Sequence, residues 1–208
     1  MGSLIMHLGI SEYLKQDYNF SNEFIVGAVA PDLLKRLPDT NRKETHYLKQ
    51  YNVNGRIQRL PDIDKFLCDN KNENSDYFFG YLSHLLQDRI WFRKYVPMCA
   101  ENREDGYVTF IKDNSIHTGK EYTEEMYKDY ANTTTFILNK IELDLEKIKA
   151  ETKNYFKNKD IDKIAEEEIR IRDIIENREN CFLSNEMILN YFNDCIEECT
   201  KYINERKL

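Results

Sequence analysis

The chain has 208 residues, 41% hydrophobic, 12% aromatic and 32% charged, enough apolar material for a core and enough charge to stay in water. Few glycines and prolines (7 and 4) disfavour a β-sandwich or a disordered chain, and a net charge of −7 argues against broad electrostatic binding to nucleic acid or anionic lipid. No run approaches the roughly 20 apolar residues of a membrane span. The opening stretch MGSLIMHLGISEYLK lacks a basic region and a small-residue cleavage site, so the expected location is the cytoplasm.

In chain order, a first helix is predicted from residue 3 to about 15, ending at the polar QDYN. Ser21 caps a second, with Glu23 in its first turn. This helix runs through FIVGAVA and is expected to stop near Pro31, since the residue before a proline avoids the α region. Residues 36–61 predict mostly loop. DIDKFLCD predicts a short helix, and a long one follows over about 75–95. Residues 97–119 read as irregular, with GYVTFIK as the one candidate strand. The pattern is helical again from Thr123, through EEMYKDYANTTTFILNKIELDLEKIKAE and the charged stretch that reaches residue 180. A last helix, about 184–205, carries an apolar face that includes Ile188, Tyr191, Cys195, Cys199 and Ile203. The expectation is a single all-α domain of about seven helices. Its site lies within 1–135, and residues 140–208 complete the bundle. Cys68, Cys99, Cys181, Cys195 and Cys199 are odd in number and form no CxxC, which predicts free thiols.

Polar residues in apolar surroundings carry the functional signal. His7 sits inside LIMHLGI, and Asp32 ends the run FIVGAVAPDLL. His46 lies in KETHYL. His84 and Asp88, four apart on the long helix, share a face with Tyr77, Tyr81, Trp91 and Tyr95. Each has an ordinary explanation: a hydrogen-bonded core histidine, a capping acid, a helical polar pair, an idle loop histidine. The aromatics, with Phe92, are read chiefly as packing. Together, three imidazoles and two carboxylates in such places need several coincidences, whereas one divalent cation satisfies them all. Imidazole nitrogen and carboxylate oxygen are the usual ligands of zinc and other first-row metals. His117, among turn formers, and Asp129, between Tyr127 and Tyr130, are weaker candidates to join them.

MHLGI, VGAVAPDLL, ETHYL and GYLSHLLQD, in that order, resemble the zinc-dependent phospholipase C family, which is related to the helical P1-type nucleases. The likeness covers about residues 3–95. It implies an all-α fold with a metal cluster that hydrolyses phosphate esters. Asp32, His46, His84 and Asp88 would hold one zinc, and His7 and Asp88 would help hold a second. A metal-activated water would be the nucleophile, with Asp32 orienting or deprotonating it. The sequence departs from the secreted members: six residues precede His7, and after Asp88 no histidine follows until His117. The resulting expectation is a metal-dependent phosphoric ester hydrolase with one or two zinc ions and a small phosphate-ester substrate. No nucleic-acid partner is expected. The alternative is a helical protein that binds metal, or a partner, without catalysis. HD-type phosphohydrolases need an adjacent His-Asp pair, which does not occur.

Overall fold

The computed structural model describes residues 3–53, 56–170 and 179–207. Helices dominate, but the protein is not purely α, because two small antiparallel sheets interrupt the helical order. Helix α1 (Leu4–Tyr18) starts where the Ser3 hydroxyl accepts from Met6 N–H at 3.2 Å, and Asn19 ends it in the left-handed conformation. Helix α2 (Asn22–Leu34) begins at the Ser21 cap and continues past Pro31 by one turn. A proline removes one helical hydrogen bond, and the turn beyond it holds because Lys35 N–H bonds the Pro31 carbonyl at 3.3 Å. That extra turn places Asp32 inside the helix rather than at its end.

The expected loop over 36–61 has more order than its composition implies. It contains a short helix α3 (Arg42–Thr45) and a hairpin of β1 (Leu48–Val53) and β2 (Arg56–Pro61), in the register Leu48↔Pro61 to Val53↔Arg56. Polar strands of this kind show no hydrophobic alternation, which hid them in the sequence. Helix α4 (Ile63–Asp69) is capped by the Asp62 carboxylate. Helix α5 (Asp76–Ile90) runs on through a π-helical turn, Trp91–Tyr95, into α6 (Val96–Cys99).

Strands β3 (Ala100–Asn102), β4 (Tyr107–Phe110) and β5 (Ile116–Thr118) form the second sheet in sequential order, and β4 coincides with the candidate strand GYVTFIK. Helix α7 (Gly119–Leu138) opens with a capping box between Thr118 and Glu121. It is separate from α8 (Leu145–Phe156), although the sequence pattern ran through the break. Helix α9 (Lys159–Glu168) follows, and α10 (Asn185–Lys207) is last. The rest of the charged helical stretch, 171–178, lies outside the described residues.

Helices α2 and α5 form the centre. A Cβ built on Gly27 would lie 2.1 Å from the Tyr77 carbonyl oxygen, and one on Gly80 would lie 1.9 Å from that of Phe24. Only glycines permit backbones this close. The pair is covered by α1 and by α10, whose residues Ile188, Tyr191, Cys195, Cys199 and Ile203 are buried as the sequence pattern requires. Helices α8 and α9 pack on α2 from another side. The aromatics of the α5 stripe do mostly pack: Tyr77 stacks on Tyr155, and Trp91 and Tyr95 meet Tyr191 edge-on. Among the described residues, no helix is long and apolar enough to cross a membrane.

Candidate metal centre

Four elements bring the five sequence-selected residues together. α1 supplies His7, α2 supplies Asp32, the residue that closes α3 is His46, and α5 supplies His84 and Asp88. The three histidines and Asp88 are fully buried and Asp32 is 5% exposed. His46 Nε2 lies 3.2 Å from Asp32 Oδ1 and 3.8 Å from Asp88 Oδ2. His84 Nε2 lies 4.0 Å from Asp32 Oδ1, and His7 Nε2 lies 3.4 Å from Asp88 Oδ1. The His7 and His84 rings stack with centroids 4.1 Å apart, and His46 meets His84 edge-on at 5.2 Å.

The other nitrogen of each ring decides what these distances mean. His84 Nδ1 is 2.7 Å from the Ala28 carbonyl, which can only accept, so Nδ1 carries the proton. His7 Nδ1 donates to Gln87 Oε1 at 2.9 Å. The Gln87 amide is set in that sense because its NH₂ donates to Ser83 at 2.8 Å. His46 Nδ1 is 3.0 Å from the Thr45 hydroxyl, which itself donates to the Asn41 carbonyl. With neutral rings, all three Nε2 atoms therefore turn lone pairs toward two carboxylates. Nε2 of His7 and of His84 has no hydrogen-bond partner among the described residues.

Lone pairs facing carboxylate oxygens in a dry interior repel unless positive charge lies between them. Protons are a poor source of that charge at His84, where burial and electrostatic repulsion from the His7 imidazole push the pKa down to about 3. Asp32 is ionised. Burial alone would raise its pKa, but its contacts with His46, His84 and Lys35 hold it well below the ordinary carboxylate range. Lys35 Nζ sits 2.6 Å from Asp32 Oδ1 and supplies part of the compensation.

A metal ion fits the rest. His7, Asp32 and His84 form one group, and His46, His84 and Asp88 another, whose ligand atoms lie within 4.8 Å of one another. Ligand atoms around a tetrahedral zinc stand ~3.4 Å apart, given bonds of ~2.1 Å, close to the separations found. The two groups share His84, whereas the family resemblance implied Asp88 as the shared ligand. His84 has spent Nδ1 on Ala28, and a single Nε2 serves one ion at a time. The geometry therefore accommodates one ion with alternative partners more readily than two at once.

The weaker candidates lie elsewhere. His117, in β5, stacks on Phe110 at 3.8 Å and bonds Ser115 Oγ at 2.7 Å, and it belongs to neither group. Asp129 is buried but accepts the N–H groups of Cys181, Phe182 and Leu183 at 2.9, 2.6 and 3.0 Å. It anchors the segment before α10. Gln87, Lys35 and Thr45, which orient or balance the ligands, were missed as site residues. The only signal for them was helical spacing: Lys35 three residues after Asp32, and Gln87 three after His84 and one before Asp88.

Asp32 also lines a cavity of about 260 Å³. Trp91, Phe92, Met126 and Tyr130 contribute to its apolar wall, and Arg36, Arg42 and Arg170 lie at its mouth. Trp91 thus serves both packing and cavity, while Tyr95 turns its hydroxyl to Asp194 at 2.6 Å. No family model, curated protein or solved structure matches this chain.

Proposed function

We propose that the protein is a metal-dependent hydrolase of phosphate esters, with a single zinc or similar divalent ion. The observation that carries the reading is the set of Nε2 lone pairs turned toward Asp32 and Asp88, with Asp32 also facing a cavity large enough for a small substrate. His84, with His7 and Asp32 or with His46 and Asp88, would hold the ion. When bound, such an ion supplies a Lewis acid for phosphate oxygens and lowers the pKa of water.

The protein's own groups have distinct tasks in this reading. Gln87, Ala28 and Thr45 fix the tautomers of the three imidazoles, so that each presents Nε2. Lys35 and His46 both engage Oδ1 of Asp32. Oδ2 is the atom assigned to orient the attacking water and to accept its proton. The arginines at the mouth favour an anionic substrate over a neutral one, despite the negative charge of the whole chain. Trp91 and Phe92 exclude bulk water from that side.

The test is a screen of zinc-loaded protein against 4-nitrophenyl phosphate and bis(4-nitrophenyl) phosphate, beside Asp32→Asn and His84→Ala. Turnover of either ester, lost in both variants, is the expected result. Metal-replete protein inactive on every ester would instead leave a non-catalytic metal-binding protein.

A further inference from the structure

The cavity mouth carries a basic group that the hydrolysis reading leaves without a specific task. Arg36 follows Asp32 by four residues, just beyond the end of α2. Arg42 opens α3 four residues before His46, whose N–H bonds the Arg42 carbonyl at 3.0 Å. Each of these two ligand candidates therefore has an arginine four residues away in the chain, and both arginines line the same cavity as Asp32.

The arginines are already arranged for anions. Arg42 Cζ lies 5.5 Å from the centroid of the Phe92 ring, which keeps the guanidinium at the cavity. Arg36 bonds the Glu168 carboxylate at 2.8 Å, and Glu168 lines the cavity from the end of α9, with only 19% of its side chain exposed. Carboxylate and phosphate oxygens accept from a guanidinium fork in the same way. Glu168 thus stands where an anionic group of a ligand would stand. Arg170, two residues on, adds a third guanidinium. Three guanidinium groups line the cavity against two carboxylates, Asp32 and Glu168, and Asp32 is already paired with Lys35, so the arginines carry a positive excess that a dianionic phosphate matches.

We infer that Arg36 and Arg42 form a phosphate subsite separate from the reacting centre. The substrate is then a small phosphate ester that carries a further phosphate, with its organic part against Trp91 and Phe92. The placement of the scissile phosphate rests on the hydrolase reading; the subsite itself binds with or without the ion. Glu168 holds Arg36 when no phosphate is present and yields it to the ligand.

Titration calorimetry on chelator-treated protein tests this without any turnover. Thymidine 3′,5′-bisphosphate is compared with thymidine 5′-monophosphate, because the pair differs only in the second phosphate. The bisphosphate is expected to bind at least about tenfold more tightly, one charge-assisted arginine contact being worth that much. Arg36→Gln and Arg42→Gln should each remove most of the preference, and Glu168→Gln should increase it. Equal affinity for the two ligands, absence of binding by both included, overturns the inference. So does a preference that survives both arginine substitutions. Both arginines are exposed, so these changes leave the core intact.

A second arm separates this from the hydrolase reading. Zinc-loaded protein is given the 4-nitrophenyl ester of thymidine 5′-phosphate with and without a 3′-phosphate. Hydrolysis of both at equal kcat/KM, with no binding preference, removes the subsite and keeps the hydrolase. A binding preference without hydrolysis of these esters or of the two 4-nitrophenyl phosphates supports the subsite and removes the hydrolase.

Discussion

Gly27 and Gly80 face each other where α2 and α5 cross, each so close to the other helix that a methyl group would overlap a backbone carbonyl. The crossing sits one to two turns from Asp32 on α2 and from His84 and Asp88 on α5, so it sets the spacing of the candidate ligands. Gly27→Ala and Gly80→Ala should each lower stability by about 1–3 kcal/mol, the range for forced overpacking, and should also weaken metal binding. Urea unfolding and a metal titration read the two effects. Wild-type values for either variant would show that the helices can separate without loss.

Gln87 touches no carboxylate of the site, yet it accepts from His7 Nδ1 at 2.9 Å and so decides which nitrogen His7 offers. Gln87→Ala should weaken metal affinity by about 10–100-fold, the usual cost of losing the partner of a ligating histidine. The circular dichroism spectrum should be retained. An unchanged affinity would remove His7 from the ligand set.

Asp129 and His117 separate structural from functional polar groups. Asp129→Ala strands three backbone N–H groups of residues 181–183 and should cost at least about 3 kcal/mol. Asp129→Asn keeps an acceptor and should cost less. His117→Ala should leave metal content at the wild-type level. A loss of metal in His117→Ala with stability intact would put the site in the wrong place.

The thiols offer a test of packing that is independent of any metal. Cys68 is exposed and Cys181 is half-buried, whereas Cys99, Cys195 and Cys199 are buried, and none of the five forms a disulfide. Burial pushes the Cys99 and Cys199 thiols up to about 12 and raises Cys195 as well. In native protein, Cys68 should react first with a thiol reagent and Cys181 more slowly. The three buried thiols should react only on unfolding. Rapid modification of Cys195 or Cys199 in native protein would contradict the docking of α10 on α5.

Much of this arrangement was legible because it rests on periodicity. The helical spacing of His84 and Asp88, the apolar face of the last helix, the cap at Ser21 and the short helix DIDKFLCD are local signals, and each recurs in the structure. The course of α2 past Pro31 was not legible, since it depends on packing that outweighs the lost hydrogen bond. Nor was the hairpin of residues 48–61, whose strands lack alternation. Asp129 illustrates the same limit for single residues. A buried acid flanked by tyrosines reads the same whether it meets a metal or three backbone amides, and its partners are some fifty residues away in the chain.

The central claim is that a metal ion supplies the positive charge between the three imidazoles and the two carboxylates. Metal content of protein purified without chelator or added metal, measured by mass spectrometry beside His84→Ala, tests it most directly. The account predicts about one equivalent of zinc or another divalent transition metal per chain, and none in the variant, since one set of nitrogen and oxygen ligands serves one ion. Folded wild-type protein that carries no metal and takes up none from added zinc would contradict it. The five residues would then be polar groups of the core, held by protons and hydrogen bonds alone.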